Sequence, residues 1–281
     1  MRGTARTIQV TELFDPDHAI DFERRFGGVR RLYGPAAFAR FQQAHVCIIG
    51  IGGVGSWVAE ALARSAVGEL TLIDPDHIAE SNINRQLHAL TGEEGKAKVQ
   101  AMRERIRAIN PRCRVHGVEE FLGEANLDAL IGNGYDYVID AIDSARAKAA
   151  LIAHCRHRKI KLVCVGGAGG QRDPAQVRID DLARTSQDPL LAKVRTRLRR
   201  DYGFPRDPKK KFGVDCVYSL EPLAYPAAEG GACFEKPADA HIQGLNCAGF
   251  GSSACVTSTF GMLAAATALN RLAEDAALAA I

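Results

Sequence analysis

The chain has 281 residues, 47% hydrophobic and 25% charged, a globular composition with length for one large domain or two small ones. A formal net charge of +3 excludes a polycation that binds nucleic acid without selectivity, so any nucleic-acid site must be local. The eight cysteines lie in apolar or Gly-rich contexts, with no C-x-x-C pair and no leader before them, which predicts a reducing cytoplasmic setting and no structural zinc.

Residues 1–44 are polar, with an Asp-Pro-Asp near the start and an arginine-rich helical stretch (Arg24, Arg25, Arg30, Arg31, Arg40), and are expected to form an arm or cap. From His45 the pattern changes: HVCIIG is a buried strand, a glycine loop follows, a helix runs to about Ala66, and ELTLID is the second strand. A helix over 96–109 stops at Asn110-Pro111, and RVHGVEE reads as the third strand. YDYVIDAID is the fourth, its helix covers about 144–157, and KLVCVGG is the fifth. This alternation predicts an α/β fold: a Rossmann-like, doubly wound, mainly parallel sheet over 45–170, with a ligand crevice at the strands' carboxyl ends. Residues 171–281 are expected to be an extension packed on the same sheet, with a strand QVRID, a basic helix over 189–200, a Pro/Lys-rich loop, a strand VDCVYSL, a loose Gly/Pro region and a closing helix. The stretch 242–270 carries no charge, but its Gln, Asn, Ser, Thr and Gly content predicts a buried helix against the sheet rather than a membrane span.

The loop Gly50-Ile51-Gly52-Gly53-Val54-Gly55-Ser56 joins the first strand to the first helix, where missing β-carbons let backbone amides reach a phosphate. By itself such a loop points to NAD or FAD. Asp74 and Asp76 end the second strand about twenty residues on, where a ribose hydroxyl is expected, and this fits NAD and ATP equally. The discriminator is the cluster Asn82, Arg85 and Gln86, which a hydride-transfer site has little use for and a triphosphate does. Arg85 can clamp phosphate oxygens, Lys98 can add a second cation, and Asp143 at the end of the fourth strand suits Mg²⁺. Each also fits a plain role: Arg85 paired with Glu80, Lys98 a solvated helix charge, Asp143 a helix N-cap. Four such residues in order at strand ends make nucleotidyl transfer the more economical explanation.

The ordered set G-x-G-G-x-G-S, L-x-D-x-D, N-x-x-R-Q, a Lys on the next helix and D-x-x-D-S resembles the ubiquitin-activating-enzyme-like (HesA/MoeB/ThiF) superfamily, over about residues 25–168. The resemblance implies that Gly52, Gly53, Asp74, Asn82, Arg85, Lys98 and Asp143 contact ATP and Mg²⁺. It also implies a homodimer in which an arginine of one subunit's N-terminal arm enters the partner's site. Here a glycine stands at the usual position of that arginine in RFGGVRRLYG, leaving Arg25, Arg30 or Arg31 as substitutes. RFGGVRRLYG, IGIGGVGSWVAEALARS, AIDSARAKAALIAHCR, GGAGGQRDP and GVDCVYSLEP resemble more narrowly the bacterial tRNA threonylcarbamoyladenosine dehydratases. That implies activation of the threonyl carboxylate of a modified adenosine beside the anticodon, ring closure with release of AMP, and a cysteine desulfurase system as a partner.

A tRNA substrate should leave a basic footprint, and Lys193, Arg195, Arg197, Arg199 and Arg200 on the expected helix, with Arg206, Lys209, Lys210 and Lys211 beyond it, face only Asp201 and Asp207. Among the cysteines, Cys216 and Cys247 are the candidates for acyl transfer, although neither has an activating His nearby and a small buried hydrophobe is the expected role. The GGAGG run at 166–170 suits backbone contacts to substrate, a lid, or a permissive turn. The rival function is adenylation of a ubiquitin-like sulfur-carrier protein, against which the absent C-x-x-C pairs and the basic insertion argue.

Overall fold

The computed structural model describes residues 20–132, 134–226, 232–233 and 250–279. Seven strands form one sheet: β1 (His45–Ile49), β2 (Glu69–Ile73), β3 (Arg114–Val118), β4 (Tyr137–Asp140), β5 (Leu162–Val165), β6 (Val177–Asp181) and β7 (Asp215–Ser219), in the spatial order β3-β2-β1-β4-β5-β7-β6. All neighbouring pairs are parallel except β6 with β7. The sheet grows from β1 toward β2 and β3 on one side and toward β4 and β5 on the other. That reversal between β1 and β4 opens a crevice at their carboxyl ends.

β1, β2, β4 and β5 are buried along almost their whole length, because helices cover both faces, and so they read as continuous apolar runs. β3 lies at the edge and keeps more exposed positions. One face carries α2 (Pro35–Gln43), α3 (Gly55–Arg64), α4 (Lys98–Ile109) and α8 (Ala254–Ala279), packed around Phe41, Leu62, Met102 and Phe260. The other carries α5 (Leu127–Leu130), α6 (Ala145–Arg158) and α7 (Pro189–Asp201), packed around Leu151, Ile152, Leu191 and Leu198. α1 (Phe22–Tyr33), whose first turn Asp21 caps by accepting from the Arg24 amide at 2.9 Å, packs against α2 through Phe22, whose ring lies 4.7 Å from Phe26 and 6.2 Å from Phe38. Two short strands, β8 (Tyr225–Pro226) and β9 (Ala232–Cys233), pair separately.

The extension does pack on the sheet, but it does so by contributing β6 and β7 to it, and β6 returns antiparallel to β7. α4 starts at Lys98 rather than 96, because Ala97 forms an antiparallel bridge with His77. α8 lies across α2 and α3, and a β-carbon at Gly261 would come within 2.7 Å of both Trp57 Cβ and the Val54 carbonyl. Among the described residues no helix is long and apolar enough to cross a membrane; 242–249 and Cys247 lie outside them.

Candidate functional site

The crevice between β1 and β4 is a cavity of about 760 Å³, lined by the glycine loop, the ends of β2, β4 and β5, and the segment 81–86. Gly50 has φ +87°, and a β-carbon there would sit 2.7 Å from the Ala141 carbonyl, so only glycine lets the β1 and β4 loops pass so closely. A β-carbon at Gly55 would come within 1.8 Å of the Gly50 carbonyl. α3 begins without a side-chain cap, and the amides of Gly52 and Gly53 donate to nothing among the described residues. Donors of this kind at a helix N-terminus suit an anion.

Asp74 sets the loop's shape. It is 5% exposed; its Oδ2 accepts from the Ile51 amide at 2.6 Å and its Oδ1 from the Asp76 amide at 2.9 Å. Burial pushes its carboxyl above the ordinary value, while Lys98 and these two amides pull the other way. Lys98 is nearly buried and holds Asp76 at 2.8 Å, with Asp74 at 3.9 Å, so it is not a solvated helix charge. Asp76 is the more exposed of the two carboxylates, and therefore the one open to a ligand hydroxyl.

The segment 79–86 is pinned from several sides. The Asn82 side chain accepts from the Ala79 amide at 3.1 Å, the Trp57 indole donates to the Arg85 carbonyl at 3.1 Å, and the Asn84 amide donates to the Ser252 carbonyl at 3.1 Å. Arg85 donates to the Ser81 carbonyl at 2.7 Å and to Asn84 Oδ1 at 2.9 Å, and forms no ion pair with Glu80 among the described residues. Its charge is therefore held by neutral acceptors and stays available to an anion. Gln86, 6% exposed and lining the cavity, has an Oε1 without a partner. Behind it, His88 is 4% exposed with neither ring nitrogen bonded, and burial, then Lys98, pushes its pKa down to about 4.

On the β4 side the N-cap of α6 is Ser144, not Asp143. Asp143 is exposed at the cavity wall and makes no bond among the described residues. Such a carboxylate fits a hydrated divalent cation held jointly with phosphate oxygens. Beneath it lies a pair that sequence reasoning missed as a unit: Lys148 and Asp140, both fully buried, 2.8 Å apart. Lys148 also donates to the Asp140 carbonyl at 3.1 Å, which anchors the end of β4. Asp188 was missed as well. It caps α7 through the Leu191 amide at 2.9 Å and holds the Gly167 amide at 2.8 Å, fixing the start of the glycine run. Gly166, Gly167 and Ala168 line the cavity, and a β-carbon at Gly166 would overlap Asp188.

All ten expected nucleotide and catalytic positions except Gly55 line this one cavity, with Asp143, and Gly55 seats the loop from beneath. The remaining candidates lie elsewhere in the chain. Arg25 donates to the Ile109 carbonyl at 3.0 Å at the end of α4, Arg30 pairs with Glu23, and neither they nor Arg31 line their own chain's cavity. α7 leaves the cavity at Leu190, so its last turn lies about 12–17 Å away at 1.5 Å per residue. There Arg199 lies 5.2 Å over the Phe212 ring and Arg200 pairs with Asp201, whereas Lys209, Lys210 and Lys211 are exposed near the amino end of β7. A wider depression of about 970 Å³ at that end is lined by charges that largely neutralise one another, as in Arg271–Asp215 and Lys161–Asp275. Cys216 is fully buried in β7 and burial pushes its thiol well up, which suits packing rather than nucleophilic attack.

The model of the ThiF family matches residues 28–279. The tRNA threonylcarbamoyladenosine dehydratase of Escherichia coli K12 is 52% identical over 257 residues, which cover 91% of this chain and 96% of that protein. A crystal structure of the E. coli tRNA N6-threonylcarbamoyladenosine dehydratase in complex with ATP superposes with a TM-score of 0.82 at 50% identity, covering 92% of this chain and 98% of that one. The molybdopterin-synthase adenylyltransferase of E. coli is more distant, 35% identical over 122 residues, 43% of this chain.

Proposed function

The chain belongs to the ThiF family, and from that premise we propose that it dehydrates threonylcarbamoyladenosine in tRNA at the expense of ATP. The observation that carries this is the convergence of free loop amides, the uncompensated Arg85, the nearly buried Lys98 and the unpartnered Asp143 on one cavity. These are the groups a triphosphate needs, and hydride transfer uses none of the last three.

In the first step a threonyl carboxylate oxygen attacks the α-phosphorus of ATP and pyrophosphate leaves, giving an acyl adenylate. Arg85 stabilises charge on the phosphates, Lys98 adds a second cation, and the amides of Gly52 and Gly53 bind phosphate oxygens at the α3 N-terminus. Mg²⁺, held at Asp143, would supply charge neutralisation of the phosphates. In the second step the ureido group of the same side chain attacks the activated acyl carbon. The ring closes, AMP leaves, and the net loss from the nucleoside is one water. An intramolecular nucleophile at high effective concentration needs no protein thiol, in keeping with the buried Cys216. We further infer a homodimer with an arm arginine donated between subunits, a tRNA contact over Arg199, Arg200 and Lys209–Lys211, a cytoplasmic setting, and an arm, core and extension divided near 44 and 170.

The test is AMP release from ATP and Mg²⁺ with threonylcarbamoyl-modified tRNA, beside unmodified tRNA and a ubiquitin-like sulfur carrier, with the product nucleoside weighed by mass spectrometry. Stoichiometric AMP with loss of one water is expected, and Arg85→Ala or Asp143→Ala should lower it by at least about a hundredfold with unchanged circular dichroism. AMP formed only with the carrier protein would transfer the chain to the adenylyltransferases. Normal turnover in either variant would remove that residue from the site.

A further inference from the structure

At the amino ends of β1, β2 and β3, the opposite end of the sheet from the nucleotide cavity, three side chains from three strands converge. His45 stands in register with Glu69, and His116 with Thr71, two residues further along β2. A two-residue period puts Glu69, Thr71 and His116 on one face of the sheet. One ligand atom from each of His45, Glu69 and His116 lies within 4.8 Å of the other two. Glu69 Oε1 is 3.8 Å from His45 Nδ1 and 2.8 Å from His116 Nε2.

The neighbours orient these groups. His45 Nε2 is 2.8 Å from Thr71 Oγ1, and in the tautomer that donates to this hydroxyl the Nδ1 lone pair is left toward Glu69. Arg114 holds the other carboxylate oxygen, Oε2, and leaves Oε1 to face both imidazoles. Outer contacts that orient an imidazole ring and a carboxylate are what metal ligands ordinarily have.

We propose that His45, Glu69 and His116 form a binding site for a divalent transition-metal ion, Zn²⁺ by ligand type. Two imidazoles and one carboxylate are a known Zn²⁺ donor set, and bonds of about 2.0–2.2 Å separate tetrahedral ligands by about 3.3 Å. The separations of 2.8 and 3.8 Å bracket that value and the third is at most 4.8 Å, so each pair lies within about 1.5 Å of it. The His116 side chain is 52% exposed against 21% for His45 and 17% for Glu69, so the fourth position opens to solvent and takes a water. The ion would staple three parallel strands at their starts. It is unrelated to the paired-cysteine zinc that this sequence lacks, and it has no part in nucleotide chemistry.

The experiment is calorimetric titration of the tag-free full chain with Zn²⁺, with Co²⁺ visible absorption as a second readout. One saturable site per chain and tetrahedral Co²⁺ bands are expected. His116→Ala and Glu69→Gln should each weaken Zn²⁺ binding by at least about tenfold and abolish the Co²⁺ bands. His157→Ala, at an exposed histidine elsewhere, should change neither, and His116→Ala should leave AMP formation intact. The proposal is overturned if no saturable site exists, or if both ligand variants bind Zn²⁺ as the parent chain does.

Discussion

His88 shows what a single buried imidazole does to pH dependence. Its pKa falls from the ordinary 6.5 to about 4, because burial and then Lys98 oppose the charged ring. Between pH 6.5 and 4 the unfolded chain takes up this proton and the folded one does not. Stability from this residue is therefore complete above pH 6.5 and falls as the pH drops, reaching a deficit of about 3 kcal/mol below pH 4. His88→Leu forfeits no hydrogen bond among the described residues, since both ring nitrogens are unpartnered. Urea midpoints from pH 4 to 7 should converge on the parent's near neutrality and exceed them at the acid end. An identical slope in the two proteins would mean that the native imidazole protonates without cost.

Between elements, the packing that matters most to the cavity is the crossing of α8 over α3. Gly261 permits it, and Val54 and Thr257, on the two partners, both line the cavity. Gly261→Ala forces a β-carbon into Trp57 Cβ and the Val54 carbonyl, neither of which is a flexible end. Overpacking of this kind costs about 1–3 kcal/mol, so a fall in Tm of several degrees and weaker ATP binding are expected. Met262→Ala, at a side chain 41% exposed, is the control, and scanning calorimetry with ATP titration distinguishes the two. The sequence already showed why β1, β2, β4 and β5 form: each is an apolar run buried on both faces. Arg85, Lys98 and Asp143 stood out in the sequence as polar candidates in chain order, and the structure brings them to one cavity and removes the plain alternative for each. The direction of β6 was not readable, because five residues of strand pattern do not encode which way the chain returns. Nor were Lys148 with Asp140, or Asp188. A lysine in AKAAL reads as a solvated helix charge until α6 and α7 close over it, and layering of that kind is a tertiary property.

For the whole molecule, the proposed tRNA substrate raises the question of how a nucleic acid would reach the cavity when the exposed lysines lie at the other end of the sheet. The exposed loop with Lys209, Lys210 and Lys211 precedes β7, while α7 leads back from that end to the cavity at Leu190. Arg199 and Arg200 are engaged with Phe212 and Asp201, so the three lysines are freer than these two arginines. A nucleic acid much longer than α7 can rest its backbone on the loop while a modified base enters the cavity. In that arrangement the lysines contribute affinity and salt dependence, and nothing to ATP binding. Replacing all three with Gln should weaken tRNA binding and flatten its logarithmic salt dependence by up to about 2–3 units, at about 0.7–0.9 for each phosphate no longer neutralised. The KM for ATP should not move, because the loop lies far from Arg85 and Lys98. Filter binding across a salt series, beside ATP kinetics, decides it: a change confined to ATP affinity would mean that the loop is not the footprint.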